Sequence, residues 1–348
     1  MNVIIVENHI PFLEGGAERH SEGLRKALLK AGHNVEVVRI PFNWYPPEHL
    51  IKQAFITRML NLQEVAGRRI DLLIAMRFPN YYIQHDCKVV WLVHPHKSAY
   101  ELWDRPYIDL PRDPGGYAIR EFILQMDRKH LREAKKVFAN SKTVAERLKR
   151  YIDLEAEVLY HPPPNAEKLH CKTYERFIFF PSRISPLKRH ALALEAIKYV
   201  KSPVKLVMCG RADSPDLLRE FLESIRDVQD RVVYLGEVSE EEKIDLYSRC
   251  LAVLFPPLDE DYGYVTLEAM LSQKAVITCV DSGGPTEFIE HQITGFVVSP
   301  KPEEIADAID RLAQDESLAV RMGKRAYEKI LSMSLSWEYV VDRILSVI

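Results

Sequence analysis

Residues 251–270, LAVLFPPLDEDYGYVTLEAM, run from a buried strand through a loop into a helix. Leu251–Phe255 is a continuous apolar run, the pattern of a parallel strand covered on both faces. Pro256 and Pro257 stop it, since proline lacks the amide donor and fixes φ, and a helix opens near Gly263–Val265. Strand, loop and helix in that order form the repeating element of a doubly wound α/β sheet. The alternation continues outward. Phe177–Phe180, Leu206–Cys209, Val232–Leu235, Ala275–Cys279 and Phe296–Val298 read as further strands, separated by helical segments such as His190–Val200 and Glu240–Cys250.

An earlier series has the same form: Val3–Val6, Val35–Ile40, Leu72–Ala75, Val89–Val93 and Val137–Ala139. Ala17–Ala31 is expected as a helix stopped by Gly32, and Ser141 as the cap of a helix through Arg150. His161-Pro162-Pro163-Pro164-Asn165 interrupts regular structure between the two series. The chain is thus expected to form two doubly wound, Rossmann-like domains facing across a cleft, over residues 1–160 and 161–331. Helices are expected over Pro302–Gln314, Ser317–Leu331 and Leu335–Ile348, with 332–348 packing back on the first domain. Asp104–Tyr117, with three prolines and two glycines, reads as a loop or lid.

The 348 residues suit two domains, and 47% hydrophobic with 28% charged residues excludes a disordered or collagen-like chain. No apolar run approaches the roughly 18 residues of a membrane span, and the first residues lack the features of a signal peptide. Five scattered cysteines show no metal or redox spacing. Cytoplasmic residence is the expectation. The formal net charge of −3 points to no nucleic-acid partner, yet residues 1–160 hold 24 basic and 20 acidic residues against 23 and 30 in the remainder. Ile119–Arg150 alone carries ten basic and four acidic residues: either a solvated helical face or a peripheral contact with an anionic membrane.

In open α/β sheets ligands bind beyond the carboxyl ends of the strands, where the chemically distinctive residues fall. At the helix start Gly263–Val265, amides and the helix dipole can hold a phosphate. Glu260 can accept from sugar hydroxyls, and Glu268 from a ribose diol. The alternative is an acidic surface loop before a core helix. After Phe177–Phe180 comes Pro181-Ser182-Arg183-Ile184-Ser185-Pro186-Leu187-Lys188-Arg189, where a guanidinium and an ammonium five residues apart can converge on a diphosphate. Gly15-Gly16, after Val3–Val6, is not the Gly-x-Gly-x-x-Gly of a dinucleotide site. Asp259-Glu260-Asp261 has the Asp-x-Asp form that can hold a divalent cation, but Arg183 and Lys188 would make a metal redundant.

Glu260–Glu268 resembles the Glu-x7-Glu motif of the retaining glycosyltransferases of family 4, which have the GT-B fold, and the likeness extends from Gly15-Gly16 to Trp337. It implies an α/β GT-B chain that transfers a hexose, mannose first, from a nucleotide-sugar to a glycan or lipid-linked saccharide. The nucleotide-sugar is a co-substrate, and neither metal nor other cofactor is expected. GDP-mannose is the favoured donor, with a UDP-glucose-type donor or a non-catalytic nucleotide-sugar-binding protein as alternatives. The resemblance makes Arg183 and Lys188 the groups that stabilise the leaving diphosphate. It places Gly15 and Gly16 beside donor and acceptor and makes His94 the histidine that reaches the transferred sugar, with His96 in reserve. Donor contacts are expected at Tyr262, Gly263, Tyr264, Val265 and Glu268, with backbone around Gly210 and Val238 against the base. Ser282-Gly283-Gly284-Pro285-Thr286-Glu287 resembles the family's loop before the next helix. One departure is Arg189, where glycine commonly follows the lysine.

Overall fold

Each run of aliphatic residues becomes a strand in one of two six-stranded parallel sheets. The computed structural model describes residues 1–11, 15–105 and 108–348. Phe12–Glu14, beside the paired glycines, and Pro106 and Tyr107 of the expected lid lie outside the described residues.

The first unit comprises Met1–Pro164 and Ser336–Ile348. Its elements are β1 (Asn2–His9), α1 (Gly16–Lys30), β2 (Asn34–Pro41), α2 (Glu48–Met59), a short antiparallel pair β3 (Glu64–Val65) and β4 (Arg68–Arg69), β5 (Leu72–Arg77), β6 (Lys88–His94), α3 (Gly116–Leu131), β7 (Lys136–Ala139), α4 (Lys142–Ile152) and β8 (Glu157–Val158). The sheet order is β2-β1-β5-β6-β7-β8. Successive residues of a strand face opposite ways, and here both faces are covered. Ile4, Val6, Leu73, Ala75, Val90 and Leu92 pack among residues of α2, α3 and α4, whereas Val3, Ile5, Leu72, Ile74, Val89 and Trp91 pack with α1 and the carboxyl-terminal helix. That two-sided burial is why these strands read as unbroken apolar runs.

The second unit, Asn165–Leu335, contains β9 (Phe177–Pro181), α5 (His190–Tyr199), β10 (Lys205–Cys209), α6 (Pro215–Ile225), β11 (Val232–Tyr234), α7 (Glu240–Arg249), β12 (Ala252–Leu254), α8 (Tyr264–Leu271), β13 (Ala275–Cys279), α9 (Pro285–Phe288), β14 (Gly295–Val298), α10 (Pro302–Gln314) and α11 (Glu316–Ser332). Its sheet order, β11-β10-β9-β12-β13-β14, reverses direction between β9 and β12. The crevice beyond that switch point is where doubly wound sheets take ligands. α12 (Trp337–Leu345) belongs to the first unit: a Cβ on Gly23 of α1 would stand 2.2 Å from the Trp337 ring. The first unit runs on to Pro164 because the His161 ring is buried, stacked on His20 at 3.9 Å and edge-on to Trp91.

Several elements differ from the sequence reading. β1 continues through Glu7, Asn8 and His9, since its ladder to β2 is made by backbone and tolerates polar side chains. β8 was not expected; two residues carry no apolar run. Gly116 and Tyr117 open α3 rather than close a loop. Within the described part of 104–117, Leu110 is buried in the first core, which anchors that part of the expected lid. The basic groups of 119–150 are largely engaged inside the unit. Arg120 lies 4.6 Å from the Trp103 ring centroid, Arg128 and Arg132 donate to the Ile152 and Asp153 carbonyls, Lys136 pairs with Glu157 and Arg147 with Glu101. Among the described residues no helix is long and apolar enough to cross a membrane.

Candidate active site

In the second unit, five loops meet at the carboxyl edge of the sheet, and glycines permit the approach. Gly210, after β10, has φ +134°, and a Cβ there would stand 2.3 Å from the Ser182 carbonyl oxygen. The Gly210 amide donates to the Gly236 carbonyl at 2.7 Å. Gly283 pairs with Glu260 in an isolated parallel bridge; its Cβ would lie 2.5 Å from the Glu260 oxygen, and one on Gly284 2.7 Å from the Asp261 oxygen. Only glycine fits such contacts. The Glu260 amide donates to Ser282 O at 3.0 Å, and the Gly284 amide to Glu260 O at 2.8 Å. The 282–284 loop is thus the mould in which the Glu260 backbone is cast.

Opposite it, the turn after β9 is tied to the same loop by the Leu258 amide, which donates to Leu187 O at 2.7 Å. The Lys188 ammonium pairs with the Glu260 carboxylate and lies 5.3 Å from the Phe255 ring centroid. Arg183 donates to Asp213 at 2.6 Å, and the Arg189 guanidinium grips Asp281 with two nitrogens. Each of the three cations of this turn thus faces a carboxylate. The cations were legible in the sequence; Asp213 and Asp281 were not assigned any part.

α8 begins directly behind Glu260. Gly263, its N-terminal neighbour, holds φ +84°, a backbone suited to glycine. The amides of Tyr264 and Val265 lie in its first turn, at the positive end of the helix dipole. Glu268 is buried, its carboxylate accepting from Tyr247 Oη at 2.8 Å and Lys243 Nζ at 3.2 Å. Burial and the Glu268 charge push the Tyr247 hydroxyl well above its ordinary pKa, so it stays a donor. The Tyr262 ring is buried edge-on to Tyr264 and Phe288. Val238 and Val265 pack against one apolar cluster around Phe179 and Tyr247.

In the first unit, His94 ends β6 and is paired in register with Arg77 of β5. Arg77 donates to Glu18 at 2.7 Å and to Asn8 O at 3.1 Å, and the other Glu18 oxygen accepts from the Gly15 amide at 2.8 Å. His94, Arg77, Glu18 and Gly15 are therefore linked along one sheet edge. Glu18 caps α1 from its third position, the reciprocal half of a capping box. Burial opposes its ionisation, but the Arg77 charge and hydrogen bond, with the Gly15 amide, hold its pKa below the ordinary value. An anion approaching Gly15 would have to displace that carboxylate. Glu18 and Arg77 were missed; Gly-x-x-Glu spacing was the available signal for Glu18. His96 is half-buried beside Phe78, and desolvation, then the nearby His94, lowers its pKa to about 3. His94, with Nδ1 2.7 Å from Pro95 O, stands two residues before it at the end of β6. Among the described residues no group of three or more His, Cys, Asp or Glu side chains is arranged to hold a metal ion.

Residues 164–329 match the glycosyl transferases group 1 family. The chain is 34% identical over 157 residues to the human α-1,3/1,6-mannosyltransferase ALG2, covering 41% of this chain and 38% of that protein. The matched stretch thus spans well under half the length of that relative. An uncharacterized glycosyltransferase of Methanocaldococcus jannaschii is 24% identical and aligns over 97% of this chain and 95% of its own. Among solved structures, sucrose-phosphate synthase from Thermosynechococcus elongatus superposes with a TM-score of 0.79 at 18% identity, covering 99% of this chain and 98% of that one. The paired parallel sheets are those of the GT-B glycosyltransferase fold, and the stretch similar to the glycosyl transferases group 1 family is the one that carries Arg183, Lys188, Glu260 and Glu268.

Proposed function

We propose that the chain is a retaining glycosyltransferase that takes a hexose from a nucleotide-sugar whose diphosphate lies against Lys188, Arg183 and the start of α8. The observation that carries this reading is the Lys188–Glu260 pair, set at the sheet's switch point at the head of a helix. An ammonium and oriented amides at one place can stabilise the charge that grows on a leaving diphosphate, so no divalent cation is required for that step. Glu260 serves the sugar hydroxyls, and Glu268, oriented by Tyr247 and Lys243, the ribose. The resemblance also gives His94 a part at the transferred sugar. The departing phosphate takes the acceptor's proton, a front-face route with retention.

Mannose is the sugar we favour, with GDP-mannose as donor, because the human relative matched over 157 residues is a mannosyltransferase. A glycan or lipid-linked saccharide is the acceptor class. UDP-glucose is the second donor, and a non-catalytic nucleotide-sugar-binding protein the contrasting reading. Thermal stabilisation by GDP, UDP and ADP identifies the base, since a ligand specific to the native state raises its apparent stability. Slow hydrolysis of GDP-mannose or UDP-glucose without acceptor then separates an enzyme from a binder. Equal shifts with all three nucleotides would remove the donor assignment; a specific shift without hydrolysis or transfer would leave a binder.

A further inference from the structure

Arg189 occupies a place that an arginine does not favour. Its φ is +56° and ψ 44°, the left-handed region, at the residue that joins the Lys188 turn to α5. Glycine enters that region without strain, whereas a residue with a Cβ does not. The arginine side chain offers something in return. Nη1 lies 2.7 Å from Asp281 Oδ1 and Nη2 2.5 Å from Oδ2, a two-limbed grip that lysine cannot reproduce. Arg189 is 18% exposed in its side chain and Asp281 37%, so the pair is half withdrawn from water.

The grip joins two segments that matter. Arg189 follows Lys188 directly. Asp281 precedes the Ser282–Gly284 loop, and its own carbonyl accepts the Asp259 amide at 3.0 Å, one residue before the Glu260 amide reaches Ser282 O. One end of the pair therefore lies at the base of Lys188 and the other at the base of the mould that holds Glu260. The Leu258–Leu187 backbone bond ties the same two segments near Lys188. Two ties, one backbone and one side chain, resist both sliding and rotation of the Lys188 turn against the Glu260 loop; one tie resists only separation.

We propose that Arg189 and Asp281 are a positioning pair for the donor diphosphate, fixing the Lys188 turn relative to the Glu260 loop so that ammonium and helix-end amides meet the phosphates together. This rests on the donor reading above. It assigns the pair no contact with the reacting atoms, and it explains an arginine in a glycine-like conformation by what its side chain holds.

The test uses the full chain with GDP, UDP and ADP as probes and, for whichever binds, the matching nucleoside. Arg189→Gly relieves the backbone while removing the grip, so the variant folds; Asp281→Ala removes the same grip from the other side without touching the turn. Each variant is expected to weaken the nucleoside diphosphate about tenfold by calorimetry, a change typical of groups coupled in one network. The double variant binds no more weakly than either single one, and nucleoside binding, followed by ligand-observed NMR, is unchanged. Wild-type diphosphate affinity in both single variants, additive losses, or equal loss of nucleoside and diphosphate would overturn the positioning role. If the wild type binds none of the three diphosphates, the donor reading falls and takes this proposal with it. If it binds and Lys188→Ala abolishes binding while the fork variants bind normally, only the positioning role falls.

Discussion

Gly283 lies so close to Glu260 that a single methyl group would not fit between them: a Cβ there would stand 2.5 Å from the Glu260 carbonyl oxygen and 3.1 Å from its nitrogen. The φ of +70° at Gly283 adds a second reason for glycine. Gly283→Ala should therefore displace the Glu260 backbone and cost about 1–3 kcal/mol of stability. Equilibrium urea unfolding of the second unit's transition checks it, and unchanged stability would show that the loop yields freely.

Lys188 and Glu260 are paired at rest, so either substitution leaves a charge without its partner in a partly buried place. Lys188→Ala should lower kcat about 100-fold or more, the scale seen when a group that stabilises transition-state charge is removed. Glu260→Ala should lose transfer similarly while the fold persists by circular dichroism. The assay is transfer from the donor selected by thermal stabilisation, and near-normal turnover in both variants would refute the assigned roles.

Glu18 holds two partners, the Arg77 guanidinium and the Gly15 amide. Glu18→Ala removes the helix cap and strands Arg77, whose side chain is 11% exposed. A loss of about 2–3 kcal/mol is expected in denaturant unfolding, from the missing cap and the unpaired charge. Glu18→Gln should recover part of it, because an amide oxygen can still accept from Gly15.

Buried histidines set the acid limit of the fold. Burial, and then the Arg77 charge, lowers the His20 pKa to about 3; burial lowers His190 to about 4; burial, then His20, takes His161 well below the ordinary value. A histidine with a lowered folded pKa contributes stability that is present above its unfolded pKa of about 6.5 and lost as pH falls below it. Each such group costs about 1.4 kcal/mol per pH unit between roughly 6.5 and its folded value. The midpoint of thermal unfolding should hold steady above pH 7 and fall steeply from pH 6 toward pH 4. His190→Gln should make that fall shallower, and an unchanged slope would remove His190 from the account.

The sequence made the strands legible because burial on both faces leaves unbroken aliphatic runs, and Ala275–Cys279 and Pro302–Gln314 have the bounds read from it. The Ser141 cap is also seen, its hydroxyl accepting from the Val144 amide at 3.1 Å. α2 was missed because its apolar residues point every way: Leu50 and Ala54 are buried while Phe55, Ile56 and Met59 are exposed. α6 had a readable start in Ser214-Pro215, a capping hydroxyl before a proline in the first turn, which was passed over. In the candidate site, Arg183, Lys188, Glu260 and Glu268 stood out because their spacing is local. Asp213, Asp281, Tyr247 and Arg77 did not, since each acts through a partner at least 21 residues away that only the folded chain brings near.

The return of α12 to the first unit has a consequence for synthesis. Trp337 fills the space over Gly23 and lies within ring contact of His20, Trp91 and His161, all of them made more than 170 residues earlier. A ribosome delivers the chain from its amino end. The first unit therefore emerges with one face of its core covered only in part, by α1, and keeps it so until the whole second unit has been translated. That interval, rather than any feature of the finished molecule, is when the first sheet is most open to wrong partners, and a chain cut short before Ser336 never leaves it.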